Sequence, residues 1–367
     1  MLSHRALNRA LLARQSLLDR SPMRAETAIE HLVGLQAQAP LAPYVGLWSR
    51  LGGFATDDLA AALLDRRAVR ASLMRVTIHL VTAQDGLLLR SLLGPVMERG
   101  WRGSSFSRDL AGIDLDALLA VGRALIDERP RTRAELAPLL SERWPDRPPN
   151  SLVYAITYLL PVVQVPPRGV WGTAGPPAWT TMEAWLGEPL DPAPSKAAVF
   201  RRYLGAFCPA TVADAAAWSG LAGLRPAFEA MRGELLVVRD EAGRELFDVP
   251  DGPRPDPDTP AAARFLPEYD NVLIGHADRS RVIPPGRRIP LPPGDGATRG
   301  TVLIDGMFAG LWRLDRPRDG SAATLVVEPF APIPAADRHA LEAEGVALVE
   351  FIAAGREPTI DVREPIG

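Results

Sequence analysis

The chain reads as an α+β protein built from tandem winged-helix units, each a helix-turn-helix plus a β-hairpin, with a C-terminal β-rich or barrel portion. Three threonine-led helix starts carry the reading: Thr56-Asp57-Asp58-Leu59-Ala60, Thr132-Arg133-Ala134-Glu135-Leu136-Ala137 and Thr211-Val212-Ala213-Asp214-Ala215-Ala216. Each pairs a threonine N-cap with a carboxylate in the first turn, where the helix dipole favours negative charge. The threonines stand 76 and 79 residues apart. That period is too long for a solenoid repeat and suits small domains in tandem. Beyond Pro260 the pattern changes to short strands with Gly and Pro corners.

At 367 residues, 47% of them hydrophobic, the chain exceeds one ordinary core. We divide it into an N-terminal helical or winged-helix domain (1–112), a second winged helix (113–192), a third (193–260) and a β-rich portion closed by a terminal helix (261–367).

Taken in order, a first helix starts at Ser3 with Leu7, Ala10, Leu11 and Leu18 inward. A second runs from Ala25 to Leu35 and must stop before Pro40. After a helix over Asp57 to Arg66, Leu73, Arg75, Thr77 and His79 alternate with Met74, Val76, Ile78 and Leu80, which predicts one strand from Ala71 to Val81 with a polar face. In the second unit, helices over Arg133 to Arg143 and Ser151 to Leu160 precede a hairpin of Val162–Val165 and Val170–Trp171. The third has helices Thr211–Trp218 and Arg225–Met231, then a hairpin of Leu235–Val238 and Glu245–Val249. Pro250–Pro260 and Pro284–Gly296 read as surface excursions. Around them, short strands are expected at Arg264–Leu266, Val272–Ile274, Thr301–Ile304, Met307–Leu314 and Thr324–Val327, with Asp305-Gly306 as a hairpin turn. The tail from Ala335 to Ala354 is amphipathic and closes the domain.

The formal net charge of −3 argues against a polycation that coats nucleic acid indiscriminately, so any DNA footprint is a local patch. Lys196 is the one lysine; every other basic residue is arginine, which suits bidentate phosphate contacts and equally reflects a GC-rich coding sequence. One cysteine, Cys208, excludes an internal disulfide and a multi-cysteine metal site. No apolar run has signal-peptide or bilayer-spanning length, so a cytoplasmic protein without membrane contact is expected. The five histidines are scattered, and Walker, dinucleotide-binding, zinc-protease and serine-hydrolase motifs are missing. No metal and no organic cofactor are expected.

The most informative stretch is Leu32-Val33-Gly34-Leu35-Gln36-Ala37-Gln38-Ala39-Pro40, with Tyr44 and Trp48 following. If the helix has unwound by Gln36, the extended backbone sends Gln36 and Gln38 the same way, an exposed pair of amide donors and acceptors. The plainer reading is that two glutamines at a helix end cap carbonyls or meet water.

The string GLQAQAP followed by Tyr44-x-x-x-Trp48, with Arg75-x-Thr77-x-His79 further on, resembles the winged-helix DNA glycosylases of the AlkZ and YcaQ type. Similarity extends to the block from Arg264 to Asp270 and the Gly306–Trp312 hairpin. In that family a Gln-apolar-Gln or Gln-apolar-Asp motif marks the catalytic site, and this chain matches the Gln-Gln form. The resemblance implies Gln36 and Gln38 as catalytic residues, and Arg75 and His79 as DNA or active-site contacts. Thr77 shares their strand face, and Tyr44, Trp48, Arg279 and Arg281 are further candidate DNA contacts. Arg66-Arg67-Arg70, Arg99-Arg102 and Arg201-Arg202 are candidate phosphate contacts, although each taken alone reads more readily as a solvated face.

Amide chemistry narrows the substrate. A carboxamide has almost no proton affinity near neutral pH, but it can orient a water and set partial negative charge beside an oxocarbenium ion. That suffices when the leaving base is already cationic, as an N7-alkylpurine is. A water nucleophile with no nearby lysine makes such an enzyme monofunctional. The resemblance implies the same substrates, including bulky adducts and interstrand crosslinks. The expected partner is double-stranded DNA with alkylated purines, bound by a monomer without an obligate protein partner. Two other readings fit the residues: a non-catalytic winged-helix transcriptional regulator, and a hydrolase using Glu268 and Asp270.

Overall fold

The computed structural model describes residues 1–289, 299–317 and 322–366. Six strands, β1 (Leu35–Gln36), β2 (Ala68–Ser72), β3 (Ile78–Thr82), β4 (Arg131–Thr132), β5 (Val162–Gln164) and β6 (Ala178–Thr181), form one antiparallel sheet in the order β1-β3-β2-β5-β6-β4. The β2–β3 and β5–β6 hairpins are joined edge to edge, with Arg70 opposite Gln164 and Ala71 opposite Val163. This junction places the start of the chain beside its second helix-turn-helix.

Thr132 and Thr211 cap their helices, Arg133–Ser141 and Val212–Ser219, each in a reciprocal capping box with Glu135 or Asp214. The first start differs. Ala55 is the cap residue of the Thr56–Leu64 helix, and Asp58 accepts the Ala55 N–H at 3.0 Å. The second helix-turn-helix continues with Pro149–Leu159, and the third with Arg225–Met231 followed by β7 (Leu236–Arg239) and β8 (Glu245–Asp248), paired antiparallel.

Three expected strands are corrected, the last of them in the C-terminal portion. The 71–81 segment is a hairpin: the Leu73 N–H donates to Thr77 O at 3.0 Å, and Arg75 and Val76 take left-handed φ values of 57° and 60°. Polar–apolar alternation persists on both arms, so the period alone hides the reversal. The return strand of the second wing is β6, not Val170–Trp171. Val170 is buried and packs in the same core as Tyr44.

The C-terminal portion is an open sheet, β13 (Glu357–Val362), β12 (Ala322–Pro329), β11 (Met307–Asp315), β10 (Gly300–Ile304) and β9 (Arg264–Leu266) in that order, and not a closed barrel. The parallel edge strand β13 was not foreseen. Asn271–Ile274 is a single helical turn rather than a strand. Asp305 and Gly306 turn the β10–β11 hairpin with φ of 47° and 75°. Part of the excursion expected over Pro284–Gly296 lies outside the described residues. The Ala335–Ile352 helix buries Leu341, Leu348 and Val349 with Leu325 and Val327 of the sheet.

Buried ion pairs tie the early helices to distant segments. Arg50 holds both oxygens of Asp270 at 2.8 Å, and Arg14 reaches Asp248 at 2.6 and 3.1 Å. The core continues beneath the 73–77 turn, where Leu73 and Met74 join Val96, Tyr203 and Trp218.

Candidate active site

The Ala25–His31 helix ends earlier than expected, and its exit aims the Gln segment. The Gly34 N–H closes on Ile29 O at 2.9 Å, while Val33 and Gly34 take φ of 53° and 95°. A Cβ at Gly34 would stand 2.6 Å from Val81 Cγ1 and 3.0 Å from Leu80 O. Only glycine lets the chain turn this tightly against β3. The strand that follows places Gln36 opposite His79, and the Ala37 N–H donates to Ile78 O at 2.7 Å. Ala37 is fully enclosed, and Gln36, expected as one of an exposed pair, is itself buried, because β1 pairs with β3 and its amide is drawn against Arg75.

Gln36 Oε1 accepts from Arg75 Nη2 at 2.9 Å. The same nitrogen lies 3.4 Å from His79 Nε2, and Arg75 Nη1 donates to Trp218 O. Trp218 belongs to the third helix-turn-helix, whose C-cap Gly220 lies close against the Arg75 backbone. Burial, followed by the nearby Arg279, lowers the Arg75 guanidinium to about 10. Burial and the Arg75 cation push His79 down to about 3. The imidazole is therefore neutral, with Nδ1 donating to Thr77 O at 2.9 Å and Nε2 left as the acceptor facing Arg75. Among the described residues, no carboxylate lies within salt-bridge distance of Arg75 or Arg279.

Gln38 is half-buried, and its Oε1 accepts the Ile78 N–H at 3.2 Å. It stands at the wall of a recess of about 220 Å³ between the β2–β3 hairpin and the Pro149–Leu159 helix.

The other candidates scatter. Thr77 Oγ1 donates to Met74 O at 3.0 Å, closing the hairpin turn. Tyr44 is fully buried: its hydroxyl donates to Gly169 O, accepts the Trp171 N–H, and so anchors the loop after β5. Enclosure raises its phenol to about 12 and leaves no surface for DNA. Trp48 stacks on Phe351 at 5.8 Å under the Arg20 guanidinium, packing the terminal helix. Arg281 is buried and donates to Pro209 O, a structural role, whereas Arg279 is half-buried and close enough to depress Arg75. Of the arginine clusters, Arg67, Arg102, Arg201 and Arg202 pair with carboxylates, and Arg70 is buried, donating to Ala37 O at 2.8 Å. Asp270, offered as a hydrolytic carboxylate, is consumed by Arg50.

Sequence reasoning missed the recess wall. Gln164 of β5, Tyr154 and Tyr158 of the Pro149–Leu159 helix, and Arg133 line it with Gln38. Gln164 left a trace as a polar residue interrupting an apolar run.

Winged helices sharing a sheet, with the Gln36 carboxamide against an Arg75 guanidinium that has no carboxylate partner among the described residues, form a candidate nucleic-acid site built of polar groups. The family model for AlkZ-like DNA glycosylases matches residues 29–351. The chain is similar to a protein of Streptomyces sahachiroi named interstrand DNA cross-link repair glycosylase, 25% identical over 371 aligned residues covering 92% of this chain and 95% of the relative. Its fold matches the solved structure of the DNA glycosylase AlkZ from the same organism with a TM-score of 0.73 and 21% identity, covering 99% of this chain and all of the other. The chain belongs to the AlkZ-like DNA glycosylase family, and it is a DNA glycosylase. Among the described residues, no helix is long and apolar enough to cross a membrane.

Proposed function

We propose that the protein hydrolyses the N-glycosidic bond of cationic N7-alkylpurines in duplex DNA, acting as a monomer, with Gln36 and Gln38 as its catalytic residues. The observation that carries this reading is the anchoring of both amides: Arg75 fixes the Gln36 carbonyl, and the Ile78 N–H fixes that of Gln38. Anchored amides are preorganised dipoles, and they need no reorganisation as charge develops in the sugar. Gln36 Oε1 keeps a second lone pair for an attacking water. Arg75 and Arg279, without carboxylate partners among the described residues, attract the phosphates flanking the lesion, which in turn neutralise the guanidiniums beside the developing oxocarbenium ion.

Neutral amides supply no proton to the leaving group, so the base must depart on its own charge. That condition selects N7-alkylated purines over uracil or hypoxanthine. Since the Streptomyces sahachiroi relative bears the name of a crosslink-repair glycosylase, bulky and crosslinked N7 adducts belong to the same proposal. With water as the nucleophile, the product is an abasic site without strand cleavage.

A base-release assay on N7-methylguanine duplex and on an N7-crosslinked duplex tests this. Gln36→Ala and Gln38→Ala are each expected to slow release by about 100-fold or more, with affinity for undamaged duplex nearly unchanged. Wild-type protein that binds alkylated duplex yet releases no base would overturn it.

A further inference from the structure

We infer that the third helix-turn-helix serves the site as the holder of Arg75, with Gly220 as a positioning residue that acts through Arg75 on the Gln36 carboxamide. This rests on the base-excision reading above and adds what aims one of its two amides. The Val212–Ser219 helix brings its C-terminal end to the 73–77 turn: Trp218 O accepts from Arg75 Nη1, while Arg75 Nη2 donates to Gln36 Oε1 at 2.9 Å. A guanidinium is a rigid planar fork, so fixing one prong sets where the other goes.

The helix end also supplies potential. The last four carbonyls of a helix lack intrahelical donors and carry its partial negative charge, which favours a cation beside them. Arg75 takes the Trp218 carbonyl, and Arg99, a candidate phosphate contact from its sequence, instead donates through Nη2 to Gly220 O. Arg75 has no carboxylate within salt-bridge distance among the described residues, and the helix end stands where one would be. The unit's own Arg225 and Arg232 are engaged with Glu229 and Glu245. What it offers the site is therefore the end of its first helix.

The second observation is steric. Gly220 ends that helix with φ of 81°, and a Cβ there would stand 3.0 Å from Val96 Cγ1 and 3.4 Å from Arg75 N. Val96 belongs to the Gly94–Gly103 helix, whose Gly100 meets the next residue of the turn: a Cβ at Gly100 would stand 2.8 Å from Val76 Cγ2. The Arg75–Val76 corner is thus approached closely at two glycines. Gly223, three residues beyond Gly220, has φ of 68° and nothing within 4 Å of where its Cβ would be. Both have left-handed backbone, and they differ in what stands beside them. A misplacement of about 1 Å in a catalytic group can cost about a hundredfold in rate, so the approach at Gly220 bears on chemistry as well as on folding.

The test is single-turnover release of N7-methylguanine from duplex DNA by wild type, Gly220→Ala, Gly223→Ala, the double variant Gly220→Ala with Val96→Ala, and Gln36→Ala, with undamaged-duplex affinity and thermal melting measured alongside. Both single glycine variants carry the strain of a Cβ on left-handed backbone and are expected to melt lower. Gly220→Ala is expected to slow release about tenfold at unchanged undamaged-duplex affinity, and Gly223→Ala to stay within about twofold of wild type. Trimming Val96 makes room for the new Cβ, so the double variant is expected to recover most of the rate although its emptied core site lowers melting further. If Gly220 served folding alone, release would follow melting. Equal slowing in Gly220→Ala and Gly223→Ala, a double variant slower than Gly220→Ala, or a Gly220→Ala rate within twofold of wild type overturns the positioning role. Should Gln36→Ala abolish release in that case, the excision reading stands without it. If wild type releases no base, the excision reading itself fails.

Discussion

Two sets of arginines in this molecule do opposite things. Arg50 and Arg14 lie in the interior, each clamped to a carboxylate, Asp270 and Asp248, and they hold elements together. Arg75 is only partly buried, and its partners are neutral: an amide oxygen, a backbone carbonyl and an imidazole nitrogen. The first set is charge-balanced and silent toward a ligand. The second keeps its positive charge beside the Gln36 carboxamide, with Arg279 near enough to act on Arg75. Desolvating a guanidinium without a carboxylate is unfavourable, so its retention at this turn points to an anion that arrives with the substrate.

The comparison breaks most visibly at Asp270. Removing it in Asp270→Ala leaves Arg50 buried without a carboxylate, and we expect a loss of about 3–5 kcal/mol in urea unfolding with little direct effect on the site beyond stability. Arg75→Met should do the reverse: excision slowed about 10- to 100-fold, with unfolding changed by at most about 2 kcal/mol. Arg75→Lys separates charge from geometry. It should restore duplex affinity and leave release slow, because an ammonium lacks the planar fork that reaches Gln36 and Trp218 together. Full recovery of release by Arg75→Lys would assign Arg75 to phosphate binding alone.

Acid sharpens the contrast. His79 stays neutral in the fold down to about pH 3, whereas an unperturbed imidazole takes a proton near 6.5. Between those values the unfolded chain binds the extra proton, so stability falls as pH falls, by at most about 1.4 kcal/mol per pH unit from this group. His276, buried beside Arg281 and also lowered to about 3, works in the same window and sign. His79→Gln should therefore remove one of the two buried-imidazole contributions to the acid slope, measured from urea midpoints between about pH 5 and 7. The excision rate should show no His79 step above about pH 5. The smallest effect is expected at Arg279→Ala, which should lower the salt dependence of duplex binding by about one counterion without changing sequence preference.

What was legible along the chain is what is local. Gln36-Ala37-Gln38 needs only an extended backbone to present two amides to one side, and Pro40 shortly after it signals that the helix has ended. Thr132 and Thr211 act on residues three positions away, and those caps stand as read. The hairpin at Arg75 was not legible, since alternation is blind to a reversal that preserves it. Tyr44 and Trp48 stood as candidate DNA contacts because an aromatic near a motif carries no mark of which core it enters. Gln164 showed only as one of the residues, with Thr157 and Pro161, that interrupt the apolar run from Ser151 to Val165, and its pairing across β2 and β6 gave that polarity a place.

What the amino-acid order alone determined, then, is the chemistry on offer: neutral carboxamides two residues apart, arginine in place of lysine, and helix starts at domain-sized intervals. The tertiary structure decided which charges remain available. Arg50 and Asp270 are 220 residues apart, and Arg14 and Asp248 are 234. A guanidinium is neutralised or left positive by whichever carboxylate the fold brings within a few ångströms, and separation along the chain carries no information about that distance.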